Sequence, residues 1–279
     1  PTGYTSATNS PTADVLPGGG AGLSLANSNP ERARKRSDGS FGSVNAGFGL
    51  LPGLELVGRL AYEGDLDCNL YFKPCAGGQR DLSVSAKYQL PIELPLDTRL
   101  AVGFTDYGGA ATNYRSYYGV ATSTWGPLDL SLGYGRPKSA TALLDGGFGS
   151  VVLRLDDHWA AALEHDSREA RLGLNWQRGA WSAGSLLRLV ASQHRYAVNE
   201  GNIVGQDLGR TGGFGIASLH GGYAWSKTVK LSAGIDNLFD KTYAEAISRG
   251  GANVSGYDTT FRINEPGRTA WLKVQVALD

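Results

Sequence analysis

Hydrophobic residues recur at every second position through about fourteen short segments of this chain, which is the period of extended strands. Successive side chains of a strand point to opposite faces of the sheet. In residues 54–63 one face carries Leu54, Leu56, Gly58, Leu60 and Tyr62, and the other carries Glu55, Val57, Arg59, Ala61 and Glu63. Residues 81–90 and 270–279 repeat the pattern. Each apolar face must therefore be covered by something.

The connections between these segments alternate between short and long, and this order predicts what covers them. Short connections fall at 51–53, 91–97, 125–127, 156–158, 178–180 and 226–228, and long ones at 27–39, 64–80, 106–115, 136–146, 196–213 and 240–267. Bacterial outer-membrane barrels have short periplasmic turns and long extracellular loops. Only the connection at 165–169 is short where a long one is expected.

The sequence therefore predicts an all-β fold, an antiparallel transmembrane β-barrel of about 14 strands, with a range of about 12 to 16. We expect residues 20–279 to form this single barrel. Residues 1–19 precede it as a segment that lies in the periplasm or enters the lumen.

Composition supports a location in the bacterial outer membrane. Only 41% of the residues are hydrophobic and the mean hydropathy is −0.22. No apolar run approaches the ~20 residues that a membrane-spanning helix needs. Transmembrane barrels are hydrophilic on average because half of each strand faces the interior.

Charged residues of both signs fall on the predicted inward faces. A barrel of about fourteen strands leaves a lumen wide enough for water unless loops or a partner fill it. A lining of mixed sign predicts weak ion selectivity and tolerance of neutral or zwitterionic solutes such as sugars. The predicted lumen-lining residues are Glu55, Arg59, Asp81, Lys87, Arg99, Asp129, Lys230, Asp236 and Lys273.

A basic cluster occupies the first long loop, where Arg32, Arg34, Lys35 and Arg36 lie within five residues. Arginine and lysine side chains at the cell surface can bind the phosphates of lipopolysaccharide or an acidic polymer. The alternative is a solvated loop without a partner.

Two cysteines, Cys68 and Cys75, lie in the second long loop. Both sides of the outer membrane are oxidising, so this pattern favours a disulfide that stiffens one loop. A thiolate metal site is the alternative, although no histidine is near and six intervening residues is not the usual zinc spacing.

No motif for catalysis or a cofactor is present. The four histidines are scattered, and the chain has no nucleophile elbow, zinc-binding histidine pair or phosphate loop. Glu55, Glu63 and Asp129 could act as paired acids, as in outer-membrane hydrolases, but Arg59, Lys87 and Arg99 on neighbouring strands offer ion-pair partners. We expect no enzyme activity, no cofactor and no bound metal. The net charge of zero gives no case for nucleic-acid binding.

The C-terminal part of the chain contains three motifs: residues 201–209 (GNIVGQDLG), 231–243 (LSAGIDNLFDKTY) and 264–273 (NEPGRTAWLK). Through them residues 168–279 resemble the C-terminal barrel of TonB-dependent receptors, in particular the copper-receptor branch. The resemblance implies metal uptake. Residues 1–19 are too few for the plug of such receptors, and the chain contains no methionine to bind copper. We therefore expect no energised uptake and assign no metal-site residue.

The front of the chain resembles a different family. Residues 1–18 (PTGYTSATNSPTADVLPG) and 50–55 (LLPGLE) are similar to YjbH-like exopolysaccharide-biosynthesis outer-membrane proteins, and the resemblance covers residues 1–166. It implies a role in secreting or assembling a surface polysaccharide. The two resemblances meet at the irregular connection 165–169, so a natural fusion and an engineered chimera both stay open.

Three functions follow from these observations. The first is a passage or secretion component for surface polysaccharide or small polar solutes. The second is a plugless receptor-like barrel for copper uptake, and the third is a non-conducting scaffold that presents loops to protein partners. Every version requires outer-membrane lipid and the barrel-assembly machinery, which usually recognises a terminal aromatic residue where this chain has Leu278–Asp279.

Overall fold

The fold is a closed antiparallel β-barrel. A computed structural model describes residues 6–7, 10–28, 41–63, 80–108, 115–138, 144–194, 201–202, 205–206, 208–245, 264–265 and 267–277. Within them the strands are β1 (Gly20–Ser28), β2 (Phe41–Leu51), β3 (Leu54–Glu63), β4 (Arg80–Gln89), β5 (Thr98–Tyr107), β6 (Ser116–Trp125), β7 (Leu128–Pro137), β8 (Gly146–Arg154), β9 (Trp159–His165), β10 (Ala170–Arg178), β11 (Trp181–Val190), β12 (Gly201–Asn202), β13 (Gly205–Gln206), β14 (Phe214–Ala224), β15 (Val229–Asp236) and β16 (Thr269–Ala277). These residues contain no helix long and apolar enough to cross a membrane.

Fourteen of the described strands form the barrel, which confirms the predicted fold class and strand number. Each pairs with its neighbour along the chain, and β1 pairs with β16 to close the ring. Closure leaves no edge strand with unpaired backbone groups, as a sheet in lipid requires. The two-residue strands β12 and β13 form a separate small sheet within the connection after β11, which the sequence pattern does not predict.

The two faces of the barrel differ as the alternation predicts. On β7, Leu132 and Tyr134 expose 62% and 67% of their surface on the outside, whereas Ser131, the residue before Leu132, is 3% exposed. On β9, Leu163 is exposed and its neighbour Glu164 is buried. A continuous apolar exterior around a polar interior is stable only where lipid covers the exterior.

The lengths of the connections distinguish the two ends of the barrel. Turns such as 52–53, 126–127 and 179–180 lie at one end, here called the short-turn end, and the long connections lie at the other, the long-loop end. The short connection between β9 and β10 lies at the long-loop end, as predicted. Two long connections begin earlier than the sequence suggests, because β11 ends at Val190 and β15 ends at Asp236. Asn237 then turns the chain with a φ of 49°.

Candidate functional site

Residues 10–17 lie against the inner wall of β2 to β6. The backbone N–H of Ala13 donates to Thr122 Oγ1 at 2.8 Å, and that of Leu16 donates to Glu55 Oε2 at 3.0 Å. The guanidinium of Arg99 binds Asp14 Oδ1 at 2.8 Å. The backbone groups of this non-strand segment are thus partly satisfied by inward side chains of the barrel.

A small apolar layer adjoins this segment. Ala13 is fully buried in a cluster with Ala101, Tyr118, Val120, Leu144 and Phe148. The rings of Tyr118 and Phe148 meet edge to face with centroids 6.2 Å apart. The segment and this cluster fill the lumen beside the front strands, and apolar burial stabilises that arrangement.

The other side of the lumen contains a cavity of about 720 Å³ near the short-turn end. Its wall comes from the end of β8, the β8–β9 and β10–β11 turns, and β9, β10, β11, β14, β15 and β16. The side chains on this wall follow the register of the strands, so they form rows that run around the inside of the barrel.

One row alternates large side chains with glycines. Asn175 pairs with Gly184, Gly184 with His220, His220 with Gly234, and Gly234 with Trp271, on five strands in succession. A Cβ at Gly234 would overlap the indole of Trp271, and one at Gly184 would overlap both Asn175 and His220. The glycines therefore let the larger side chains lie across the wall. We call these five residues the aromatic row.

The next row, two residues closer to the short-turn end, is rich in hydroxyl groups. Gln177 pairs with Ser182, Ser182 with Gly222, Gly222 with Ser232, and Ser232 with Lys273. A Cβ at Gly222 would lie 2.6 Å from Ser182 Oγ and 3.1 Å from Ser232 Oγ, so both hydroxyls extend toward this glycine. We call these residues the hydroxyl row.

A buried ionic cluster lies at the long-loop end. Arg171 on β10 binds Glu164 of β9 at 2.8 Å and Asp166 of the following turn at 2.7 Å, and it also pairs with Glu169. All four side chains are at least nine-tenths buried. Because each carboxylate shares the same guanidinium, the short β9–β10 connection is held against the inner wall.

The cluster continues to the segment after β15. Arg188 on β11 pairs with Glu169 and also with Glu245, which lies 57 residues further along the chain. Its guanidinium carbon lies 5.2 Å from the ring centroid of Phe214 and 6.0 Å from that of Tyr243. These contacts hold residues 237–245 against the long-loop end of the lumen.

Within this segment, Asn237 forms a closed turn: its side chain donates to Lys241 O and accepts from Lys241 N, both at 2.8 Å. Burial and the neighbouring carboxylates raise the pKa of Tyr243 to about 12. Burial, reinforced by the charge of Glu245, raises the pKa of Glu265 to about 7. The Glu265 N–H donates to Tyr243 O at 2.8 Å, so both ends of the connection meet.

All nine residues predicted to line the lumen share the inward parity of their strands, and their role in a passage stays a prediction. Glu55 and Lys87 form a buried ion pair with a 3.6 Å separation. Arg99 pairs with Asp14 and Asp97 rather than with an acid of a neighbouring strand. Asp129 pairs with Arg154 at 2.5 Å.

The remaining five of the nine lie at other positions of the wall. Lys230 and Lys273 line the cavity, whereas Asp236 lies beyond the aromatic row toward the long-loop end. Arg59 on β3 pairs in register with Ser83, and Asp81 on β4 with Ala61.

Sequence reasoning missed several residues of the lumen. These are Asp14, Arg154, Glu164, Asp166, Glu169, Arg171, Arg188, His220, Glu245 and Trp271. The inward parity of Arg171 and Arg188 on their strands could have identified them. No local signal indicates that Asp14 or Glu245 contacts the barrel.

The predicted loop features lie outside the described residues. They are the basic residues Arg32, Arg34, Lys35 and Arg36 and the cysteines Cys68 and Cys75. The proposed disulfide and the basic binding site stay predictions. Within the described part of the chain, no three His, Cys, Asp or Glu residues are grouped to hold a metal ion.

Comparison with known proteins gives one family match. The model of the family described as exopolysaccharide biosynthesis protein YbjH matches residues 2–170. No curated protein matches the sequence of this chain.

Solved structures of larger barrels also match. The copper transporter OprC is 26% identical, with 86% of this chain and 48% of that chain covered and a TM-score of 0.46. A mutant of the ferric enterobactin receptor PfeA from Pseudomonas aeruginosa is 17% identical, with 92% and 50% covered and a TM-score of 0.37. The FrpB iron transporter from Neisseria meningitidis is 12% identical, with 85% and 45% covered and a TM-score of 0.38. The chain spans about half the length of these proteins.

Proposed function

Because this outer-membrane barrel belongs to the family of exopolysaccharide biosynthesis proteins YbjH, we propose that it provides a passage for surface polysaccharide or small polar solutes. The observation that carries the proposal is the 720 Å³ cavity inside the closed barrel. Its volume is in the range of sites that hold molecules the size of an oligosaccharide unit. A chain of sugars needs a polar route across the apolar membrane, and a barrel lumen supplies one.

The chemistry of the wall supports a role in passage rather than catalysis. Two of the three carboxylates that could have formed an acid pair, Glu55 and Asp129, are each held by a cation of the barrel. Beside its charged groups, the wall of the cavity presents amides and hydroxyls, including Asn175, Gln177 and Ser182. Such groups exchange hydrogen bonds with water and with sugar hydroxyls at similar free energy, so a solute can bind and leave.

Residues 10–17 narrow the proposed passage. They occupy the side of the lumen opposite the cavity, held by Thr122, Glu55 and Arg99. The cavity is then the remaining route along strands β9 to β16. Movement of residues 10–17 would widen it.

Single-channel recording of the purified protein in planar lipid bilayers tests the proposal. We expect an ion conductance that falls when Ser232→Phe places a ring in the cavity. Ala233→Phe is the matched control, because Ala233 is the next residue on β15 and is exposed on the outer face. A folded barrel that never conducts would contradict the proposal and favour a scaffold that presents loops to partners.

A further inference from the structure

The charged groups that line the cavity are unbalanced. The lumen carboxylates Glu55 and Asp129 pair with Lys87 and Arg154. Lys230 and Lys273 line the cavity, and neither takes part in a salt bridge among the residues that the structure describes. Two positive charges are therefore available on one wall.

The two lysines lie close together on adjacent strands. Lys230 of β15 pairs in register with Gln275, two residues from Lys273 on β16. Diagonal neighbours of this kind have Cα atoms about 7–8 Å apart. The Cε atom of Lys273 lies 3.9 Å from the position of a Cβ on Gly22, so its stem lies along the wall of β1. This stem leads away from β15, which pairs with the other side of β16, yet the charge of Lys230 still acts on Lys273. An anion that contacts both ammonium groups would relieve their repulsion.

The carboxylates nearest the cavity do not cancel this charge. Asp156 lies in the β8–β9 turn, where its Oδ1 accepts from the N–H groups of His158 and Trp159 at 2.7 and 2.8 Å. Asp157 is exposed in the same turn. Asp236 lies on the far side of the aromatic row from both lysines. Glu55 of β3 is also near enough for its charge to act on Lys273, but it forms an ion pair with Lys87. Among the residues that the structure describes, no acid thus forms a salt bridge with either lysine.

Beside the lysines, the wall offers a platform for a sugar ring. Trp271 lies two residues from Lys273 on the same inward face, and its indole lies over Gly234. The face of an indole carries partial negative charge, which attracts the C–H groups of a pyranose ring. Ser182 and Ser232 of the hydroxyl row lie next to it and can exchange hydrogen bonds with sugar hydroxyls.

We propose that this wall is a binding subsite for an anionic glycan, in which Trp271 stacks on one sugar ring while Lys230 and Lys273 bind its acidic substituents. The inference rests on the proposed passage and deepens it by naming the class of glycan. A carboxylate between two ammonium groups gains charge-assisted hydrogen bonds that a neutral sugar lacks. The subsite therefore discriminates by charge among glycans of equal length.

Calorimetric titration of the barrel in lipid nanodiscs tests this inference. Tetragalacturonate is the anionic probe, maltotetraose the neutral probe, and sodium sulfate the simple anion. We expect tetragalacturonate to bind at least about tenfold more tightly than maltotetraose, since a hydrogen bond to a charged group contributes roughly that factor or more. Equal affinity for the two tetrasaccharides would overturn the charge assignment. Displacement by sulfate at equal ionic strength would overturn the glycan assignment.

Variants separate the roles of the residues. Lys273→Gln or Lys230→Gln should each weaken tetragalacturonate binding by about tenfold and leave maltotetraose unchanged. Trp271→Leu should weaken both probes. Lys227→Gln is the matched control, because it removes the same charge from the exposed β14–β15 turn, outside the cavity. Loss of affinity in Lys227→Gln equal to that in Lys273→Gln would show long-range attraction without a subsite.

Failure of the subsite and failure of the passage give different results. Tight tetragalacturonate binding by a barrel that conducts no ions would leave the subsite standing and refute the passage. Conductance without preference for the anionic tetrasaccharide would leave the passage standing and refute the subsite. Thermal unfolding of each variant, followed by heat-dependent mobility in gels, confirms that the barrel is folded.

Discussion

The indole of Trp271 lies over Gly234, its register partner on the neighbouring strand, in the space that a Cβ at position 234 would fill. The adjacent His220 ring lies with its centroid 6.4 Å from that of Trp271. A glycine in the middle of a strand weakens the strand unless a close approach requires it. Here it lets a large ring occupy the space beside the backbone of the neighbouring strand.

Gly234→Ala should displace the Trp271 indole. The added methyl group overlaps the ring, and overpacking of this kind typically costs about 1–3 kcal/mol. The free energy of unfolding, measured by urea titration in lipid vesicles, checks this value, and binding of both tetrasaccharides should weaken. Gly221→Ala is the control, because a Cβ there would lie 3.6 Å from the nearest atom, Ser182 O. Equal stability of the two variants would contradict the packing argument.

The buried pair of Glu55 and Lys87 should be strongly coupled. Both side chains are almost completely buried, and removing one partner leaves the other buried without its counter-ion. Glu55→Gln or Lys87→Met should each lower the free energy of unfolding by about 3–5 kcal/mol, and the double variant should recover part of it. Glu93→Gln, on the exposed connection before β5, is the control and should have little effect. Additive losses in the double variant would show that the two groups act independently.

Asp14→Asn should loosen residues 10–17. The neutral amide loses the charge-assisted bond to Arg99, so the segment leaves the wall more often and single-channel conductance rises. Asp97→Asn is a close control, since Asp97 also pairs with Arg99, at 3.0 Å, but lies in the turn before β5. If both variants conduct like the parent protein, residues 10–17 do not limit the passage.

The docking of the segment after β15 should depend on pH through Glu265. Burial raises its pKa from 4.5 to about 7 when the segment is docked. A raised pKa means that the docked form binds protons more tightly, so docking is favoured at low pH and weakens as the pH rises through about 7. Hydrogen exchange at Tyr243 and Glu245, corrected for its intrinsic pH dependence, measures this change. Glu265→Gln should abolish the dependence, and an unchanged profile in that variant would assign it to another group.

The sequence predicts the barrel well because its strongest signals are local. A period of two and the order of connection lengths give the strand number and the position of the short β9–β10 connection, and both are confirmed. These features depend only on neighbouring residues along the chain. The inward positions of Lys230 and Lys273 follow from the same alternation.

The lumen contacts are harder to predict because they join distant parts of the chain. Asp14 reaches Arg99, 85 residues away, and Glu245 reaches Arg188 across the long connection after β11. The aromatic row depends on the register of five strands at once, which no single strand determines. The alternation within each strand therefore predicts only that the lining carries charges of both signs. Which charges neutralise each other depends on the folded register.

Release of a trapped tetrasaccharide from proteoliposomes tests whether the lumen is a passage for a glycan. Vesicles are loaded with labelled tetragalacturonate and reconstituted with the barrel or with Ser232→Phe. We expect release through the parent barrel, slower release through Ser232→Phe, and retention in vesicles without protein. Retention by vesicles that contain the folded parent barrel, equal to retention by protein-free vesicles, would contradict this expectation.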